Sequence, residues 1–135
     1  MRKVIIDTNI FYEILLEESL VIDALIRAKD NHRFIINLQI IAELIVLFRT
    51  RGKDWLLFKI LDPLLQGNIF EIEELNVRDI RRAASVLKKY KDKLLSFTDC
   101  LILAQAANNN YLVWTKDQEM RHCKECEFFE PGRDL

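Results

Sequence analysis

Four acidic residues occupy places where an ordinary surface carboxylate is not expected. Asp7 directly follows the apolar run Val4-Ile5-Ile6, and Asp117 follows Val113-Trp114-Thr115-Lys116. Glu43 lies inside Ile40-Ile41-Ala42-Glu43-Leu44-Ile45-Val46-Leu47-Phe48, the most apolar stretch of the chain. Asp99 opens another apolar run within Ser96-Phe97-Thr98-Asp99-Cys100-Leu101-Ile102. Each has a plainer reading when taken alone. Asp7 and Asp99 can cap or stabilise helix N-termini, and Glu43 can pair with Arg49 or Arg51. Taken together they ask for more. Gathered carboxylates repel, raise one another's pKa and destabilise the fold unless a positive charge sits between them. Oxygen-only ligands select hard cations, so Mg2+ or Mn2+ is the expected cofactor. Such ions orient a phosphodiester, activate water and stabilise the leaving oxygen.

Those residues meet only if the surrounding elements place them together. Residues 3–6 are a short β-branched run and read as a buried strand. Residues 9–29 read as helical in two pieces broken at Glu17-Glu18-Ser19, with Ser19 as a cap and Val21, Ile22, Leu25 and Ile26 on one face. Residues 33–38 are a second strand. Residues 39–50 form an apolar helix that Gly52 stops, and 54–66 form a further helix bent or restarted at Pro63. A third strand is expected over 68–73. Asn76 then caps a helix over 77–91 with Ile80, Ala83, Ala84 and Leu87 inward. Thr98 opens a helix through 108, 111–115 is a fourth strand, and 127–130 is a short fifth one. Strands alternating with helices imply parallel pairing in a three-layer α/β/α sandwich. In such sheets functional groups collect beyond the carboxyl ends of the strands, where Asp7 and Asp117 both stand.

The length of 135 residues suits one domain, 1–135, and a hydrophobic share of 50% is enough for a core without disulfides. No stretch reads as a signal peptide or membrane span, so the expectation is a cytosolic protein. The net charge of −1 is no signature of a nucleic-acid enzyme. Setting the four carboxylates aside leaves 17 acidic residues against 20 basic ones, a balance of +3. Arg49, Arg51 and Lys53 follow the Glu43 helix and can grip phosphates. Arg78, Arg81, Arg82, Lys88, Lys89, Lys91 and Lys93 read first as a solvated helix face. Cys123 and Cys126 form a lone C-x-x-C beside His122 with no second pair to close a zinc site, which favours a structural role.

The motifs Ile5-Ile6-Asp7-Thr8-Asn9, Ala42-Glu43-Leu44, Thr98-Asp99-Cys100-Leu101-Ile102-Leu103-Ala104 and Thr115-Lys116-Asp117, in this order, resemble the PIN-domain family, in particular VapC-like ribonuclease toxins of VapBC toxin–antitoxin systems. The resemblance spans nearly the whole chain. It implies a parallel sheet in the order 3-2-1-4-5 with helices on both faces. It also implies that Asp7 and Asp99 are central metal ligands and that Glu43 completes the site from the facing helix. Asp117 then acts directly or through an intervening water, and Thr8, Asn9 and Thr115 orient these groups. The implied activity is metal-dependent hydrolysis of RNA, leaving 5′-phosphate and 3′-hydroxyl ends. The implied partners are an antitoxin protein and a second copy of the chain, with Phe11, Tyr12, Leu15, Leu16, Trp55, Leu56 and Phe58 as candidate contacts. A non-catalytic PIN module and a PIN nuclease of RNA maturation are the rival readings. A receiver or haloacid-dehalogenase-like phosphatase fits less well, since the latter expects an aspartate where Asn9 stands.

Overall fold

The computed structural model describes residues 1–67 and 70–132. Five strands alternate with helices along the chain: β1 (Arg2–Ile6), α1 (Thr8–Leu15), α2 (Ser19–Ala28), β2 (His32–Asn37), α3 (Leu38–Thr50) and α4 (Asp54–Leu65). They are followed by β3 (Glu71–Glu73), α5 (Val77–Lys89), α6 (Phe97–Asn109), β4 (Leu112–Trp114), α7 (Gln118–Arg121) and β5 (Glu127–Phe128). All strand pairs are parallel, in the order β3-β2-β1-β4-β5. The fold is thus the expected α/β sandwich with the expected strand order.

The central strand explains itself. Val4, Ile5 and Ile6 are all fully buried, as a strand covered on both faces requires. Ile5 pairs with Ile35 of β2 and Val113 of β4, so the sheet's middle is continuous aliphatic surface. Asp7 N–H extends the ladder by one bond, donating to Trp114 O at 3.0 Å. That bond fixes the start of α1 against the end of β4. The outer strand β5 is short, and aromatic packing helps to hold it. Trp114, Phe34 and the fully buried Phe129 pack with ring centroids 5.0–5.9 Å apart.

Several local expectations are corrected. Glu18, not Ser19, sits at the cap of α2, and its side chain makes no capping bond. Val21, Ala24 and Ala28 are the buried face of that helix, while Ile26 is 53% exposed. The chain runs as one helix through Pro63, which falls in the last turn of α4, where its missing N–H costs the helix a single hydrogen bond near its end. The third strand begins at Glu71, and the expected residues Asn68 and Ile69 lie outside the described residues. Helix α7 was not anticipated. Phe11 and Tyr12 are core residues, not contact points, and Tyr12 packs edge-on against Phe48 at 5.1 Å.

Helix α5 differs most from its expectation. Ile80, Ala84 and Leu87 face solvent, and the buried residues are Asp79, Ala83 and Val86. The cause is a polar anchor. Asp79 completes a capping box with Asn76 and accepts from Asn108 Nδ2 of α6 at 2.9 Å. Satisfying that buried carboxylate turns the Ala83 edge toward α6 and leaves the more apolar stripe outside.

A second polar anchor sets the helix that carries Glu43. Asn37, fully buried at the end of β2, caps α3 by accepting from Ile40 N at 2.9 Å and donates to Gln105 Oε1 at 3.0 Å. Gln105 in turn donates to Glu74 O at 3.2 Å. Replacing Asn37 with Ala removes a cap and strands the Gln105 carbonyl. The expected loss is about 2 kcal/mol, read as a lower urea midpoint with an unchanged slope. An unchanged midpoint would show that Asn37 does not anchor α3.

Candidate active site

Asp7 is placed by the end of β1 and is only 5% exposed. Two bonds hold its carboxylate: Thr8 N–H donates to Oδ1 at 2.8 Å, and Thr115 Oγ1 donates to Oδ2 at 2.7 Å. The first bond caps α1, so the plain capping role is real. It accounts for one oxygen only. Thr115 is itself buried just beyond β4, and its hydroxyl also accepts from Asp117 N at 3.0 Å. One threonine therefore links the ends of β1 and β4 to both aspartates. Arg121 Nη1 donates to Thr115 O at 3.2 Å and Arg121 also forms an ion pair with Glu130, pinning this corner from behind.

The other acids arrive from three helices. Glu43 is on α3, half-buried, and accepts from Thr8 Oγ1 at 3.0 Å. Its apolar surroundings do not enclose it, because Ile45 and Val46 beside it are 37% and 63% exposed. Glu43 is a cleft wall rather than an interior charge. Asp99 is in the first turn of α6, where its Oδ2 accepts from Ser96 N at 3.0 Å while Ser96 Oγ accepts from Asp99 N at 3.1 Å. Ser96 is the cap, in a capping box with Asp99, and Thr98 lies within the first turn. Asp117 caps α7, with Oδ1 accepting from Glu119 N at 2.8 Å and from Met120 N at 3.3 Å.

The four charges interact. Burial pushes Asp7 up to about 6 against the lowering effect of the Thr115 hydrogen bond, and the charges of Asp99 and Asp117 add to the rise. Asp99 is raised too, by burial first and then by Asp117 and Glu43. None of the four has an ion-pair partner among the described residues. They nonetheless stop short of a closed ligand shell: among the described residues no three Asp, Glu, His or Cys side chains are grouped to hold an ion. The two facts are compatible because Coulomb forces act further than coordination bonds, and because Asp99 and Asp117 each have an oxygen occupied with a helix N-terminus. The chemistry of the donor set, oxygen-only and with no counter-cation, fits a hard divalent ion.

Residues beyond the four also shape the site. Thr8, Asn9 and Glu43 line one cleft of about 500 Å³ together with Gln39, Val46 and Thr50. Gln39 Nε2 donates to Thr98 Oγ1 at 3.3 Å, tying α3 to α6 beside Asp99. Neither Gln39 nor Thr98 stands out as a site residue in the sequence. A usable signal was present for Gln39, which precedes Glu43 by one helical turn and so shares its face. Arg49 is exposed near the end of α3, and the Arg51 guanidinium lies over the Tyr12 ring at 4.7 Å. Lys53 is half-buried just before α4. Much of the second basic group is engaged within the fold. Arg78 and Arg82 donate to Asn108, and Lys89 and Lys93 pair with Glu125 and Glu119. The cysteines are all free thiols, and burial pushes Cys123 and Cys126 up to about 11 and about 12. Neither is a ready thiolate at neutral pH.

The buried charge of Asp7 has a thermodynamic signature. A carboxyl whose folded pKa is raised stabilises the fold below its unfolded pKa, and that stability is lost as pH rises through the folded value. For a rise from 3.8 to about 6 the loss is about 3 kcal/mol. In chelator, Asp7→Asn should therefore gain on the wild type by about 2–3 kcal/mol between pH 4 and 7, read from urea midpoints. A difference that stays flat with pH would contradict the raised pKa.

No curated protein matches the sequence significantly. Among solved structures, the chain is similar to VapBC2 from Rickettsia felis, bound there to a promoter DNA fragment, at TM-score 0.75 and 19% identity over 94% of this chain and 97% of that one. It is similar to FitAcB from Neisseria gonorrhoeae at TM-score 0.73 and 20% identity, over 96% of this chain and 99% of that one. It is also similar to a toxin–antitoxin complex from Klebsiella pneumoniae at TM-score 0.67 and 18% identity, over 93% of this chain and 99% of that one. At such identities the likeness is one of fold. The PIN domain family, however, matches residues 4–125, from the first buried strand to beyond Asp117. The chain belongs to the PIN-domain family.

Proposed function

We propose that this PIN domain is an endoribonuclease dependent on Mg2+ or Mn2+ and the toxin of a toxin–antitoxin pair. One observation carries the reading: Asp7, Glu43, Asp99 and Asp117 come from four parts of the chain to one end of the sheet, sense one another's charge and have no ion-pair partner among the described residues. Such an arrangement destabilises the protein that carries it, which argues against a module that only binds. Asp7 and Asp99 would hold the ion, with Glu43 and Asp117 completing its surroundings. A divalent cation bound there supplies Lewis acidity and makes water a better nucleophile toward a phosphodiester. The chain's own residues supply position. Thr115 and Thr8 fix both oxygens of Asp7, Thr8 also holds Glu43, and the Thr115 hydroxyl sets the backbone of Asp117. Arg49, Arg51 and Lys53 would take phosphates of the strand away from the cut.

The partner half of the proposal rests on surfaces and on similarity. The solved structures above include toxin–antitoxin complexes. Helices α3 and α4 expose Val46 at 63%, Trp55 at 61% and Phe58 at 76%, an apolar area beside the cleft suited to an antitoxin segment. A second copy of the chain is assigned to α5, where Val77, Ile80 and Leu87 form an exposed stripe at helical spacing. No helix among the described residues is long and apolar enough to cross a membrane.

End-labelled RNA incubated with the protein should be cut only when Mg2+ or Mn2+ is added, leaving 5′-phosphate ends. Asp99→Asn, which keeps shape and removes charge, should abolish the cutting. RNA that stays whole, with no metal binding by calorimetry, would return the protein to the class of binding modules. Thr115→Val tests the positioning role separately. It should weaken Mn2+ binding by about 10–100-fold in the same calorimetric titration, and an unaltered affinity would remove Thr115 from the site.

A further inference from the structure

The cleft beside Glu43 has a composition that the phosphodiester chemistry does not use. It is lined by the apolar side chains of Ala42, Val46 and Leu47 of α3 and by the uncharged polar side chains of Asn9, Gln39 and Thr50. No lysine or arginine among the described residues lines it. A phosphate would find no cationic partner there, whereas the cations that suit phosphates, Arg49 and Arg51, stand outside its lining. At about 500 Å³ the cleft is within the usual range for small-molecule sites.

We propose that this cleft is a nucleobase pocket, holding the base of a nucleotide adjacent to the bond that is cut. The proposal rests on the nuclease reading of the site and adds its specificity. Unstacked RNA bases are recognised by flat apolar contact on their faces and by hydrogen bonds along their edges. Val46 and Leu47 offer the first. Asn9 and Gln39 offer the second, and their commitments differ. The Asn9 amide makes no hydrogen bond among the described residues, while Gln39 has given Nε2 to Thr98 and keeps its carbonyl. Glu43, in the same lining, offers a carboxylate oxygen as an acceptor. Two acceptors in one lining suit an exocyclic amino group, which adenine, cytosine and guanine carry and uracil lacks. Glu43 also joins the pocket to the acids, since Thr8 bonds it at 3.0 Å and bonds Asp7 through its backbone. A base seated here is therefore adjacent to the reacting phosphate.

The test is a randomised RNA pool cut by the wild type and by Gln39→Ala, with the cleavage ends sequenced. The expected wild-type result is depletion of uracil by about fivefold at one position next to the cut, and Gln39→Ala should bring that depletion close to none. Because the readout is a ratio among products, a general slowing of the variant does not affect it. A companion measurement needs no cleavage: Asp99→Asn should alter the fluorescence of a short RNA carrying 2-aminopurine, and the double variant with Gln39→Ala should not. Cutting without any base preference, or a preference that survives Gln39→Ala, overturns the pocket while leaving the nuclease in place. A 2-aminopurine signal that requires Gln39, in a protein that cuts nothing, supports the pocket and removes the nuclease. Neither cutting nor signal overturns both.

Discussion

The carboxylate of Asp7, drawn out of water at the end of the central strand, is the constraint around which the described site is organised. Left to itself such a group would neutralise or unfold its surroundings. One hydroxyl and one backbone N–H offset that tendency, and each comes from a different element that meets β1 at this point. Thr8 opens α1, and Thr115 directly follows β4. The ladder bond from Asp7 to Trp114 keeps these two elements in register. The middle of the sheet, at Val4, Ile5, Ile35, Ile36, Leu112 and Val113, can be aliphatic because the polar demands of the site are met at the strand ends.

Capping and chemistry are usually weighed as alternatives for an aspartate at a strand–helix junction. Here they coincide. Asp7, Asp99 and Asp117 all accept from helix N-termini, and each does so through one oxygen. A helix N-terminus partly compensates a negative charge, so three helices beginning around one point make a cluster of acids tolerable before any cation arrives.

The strands and the acids were legible in the sequence for the same reason: both interrupt a pattern. Val4-Ile5-Ile6 is too apolar for anything but a doubly covered strand, and Asp7 breaks it abruptly. Glu43 was conspicuous amid its largely apolar neighbours, although the helix proved half-open to solvent rather than enclosed. Where the pattern offered two answers, reading failed. Helix α5 carries an apolar stripe and a narrower one around Ala83, and the buried Asp79–Asn108 bond, invisible in sequence, chose the narrower. Helix α7 is only four residues long and has too little periodicity to register, though Asp117 before Gln118-Glu119 is a fair capping signal. Gln39 escaped notice because an amide one turn from a carboxylate has no conspicuous chemistry of its own until the cleft is seen.

The order in which the chain delivers its parts has a temporal consequence. Asp7 and its strand emerge from the ribosome early, but Thr115, which holds that aspartate, and Asp117 come only after α6 and β4. Until they arrive, Asp7 lacks one of its two supports and the parallel ladder beside β1 is open on one side. A nascent or truncated polypeptide therefore has acids but no assembled centre. Any property that needs Asp7 and Asp117 together therefore begins only when the last strands of the sheet are in place.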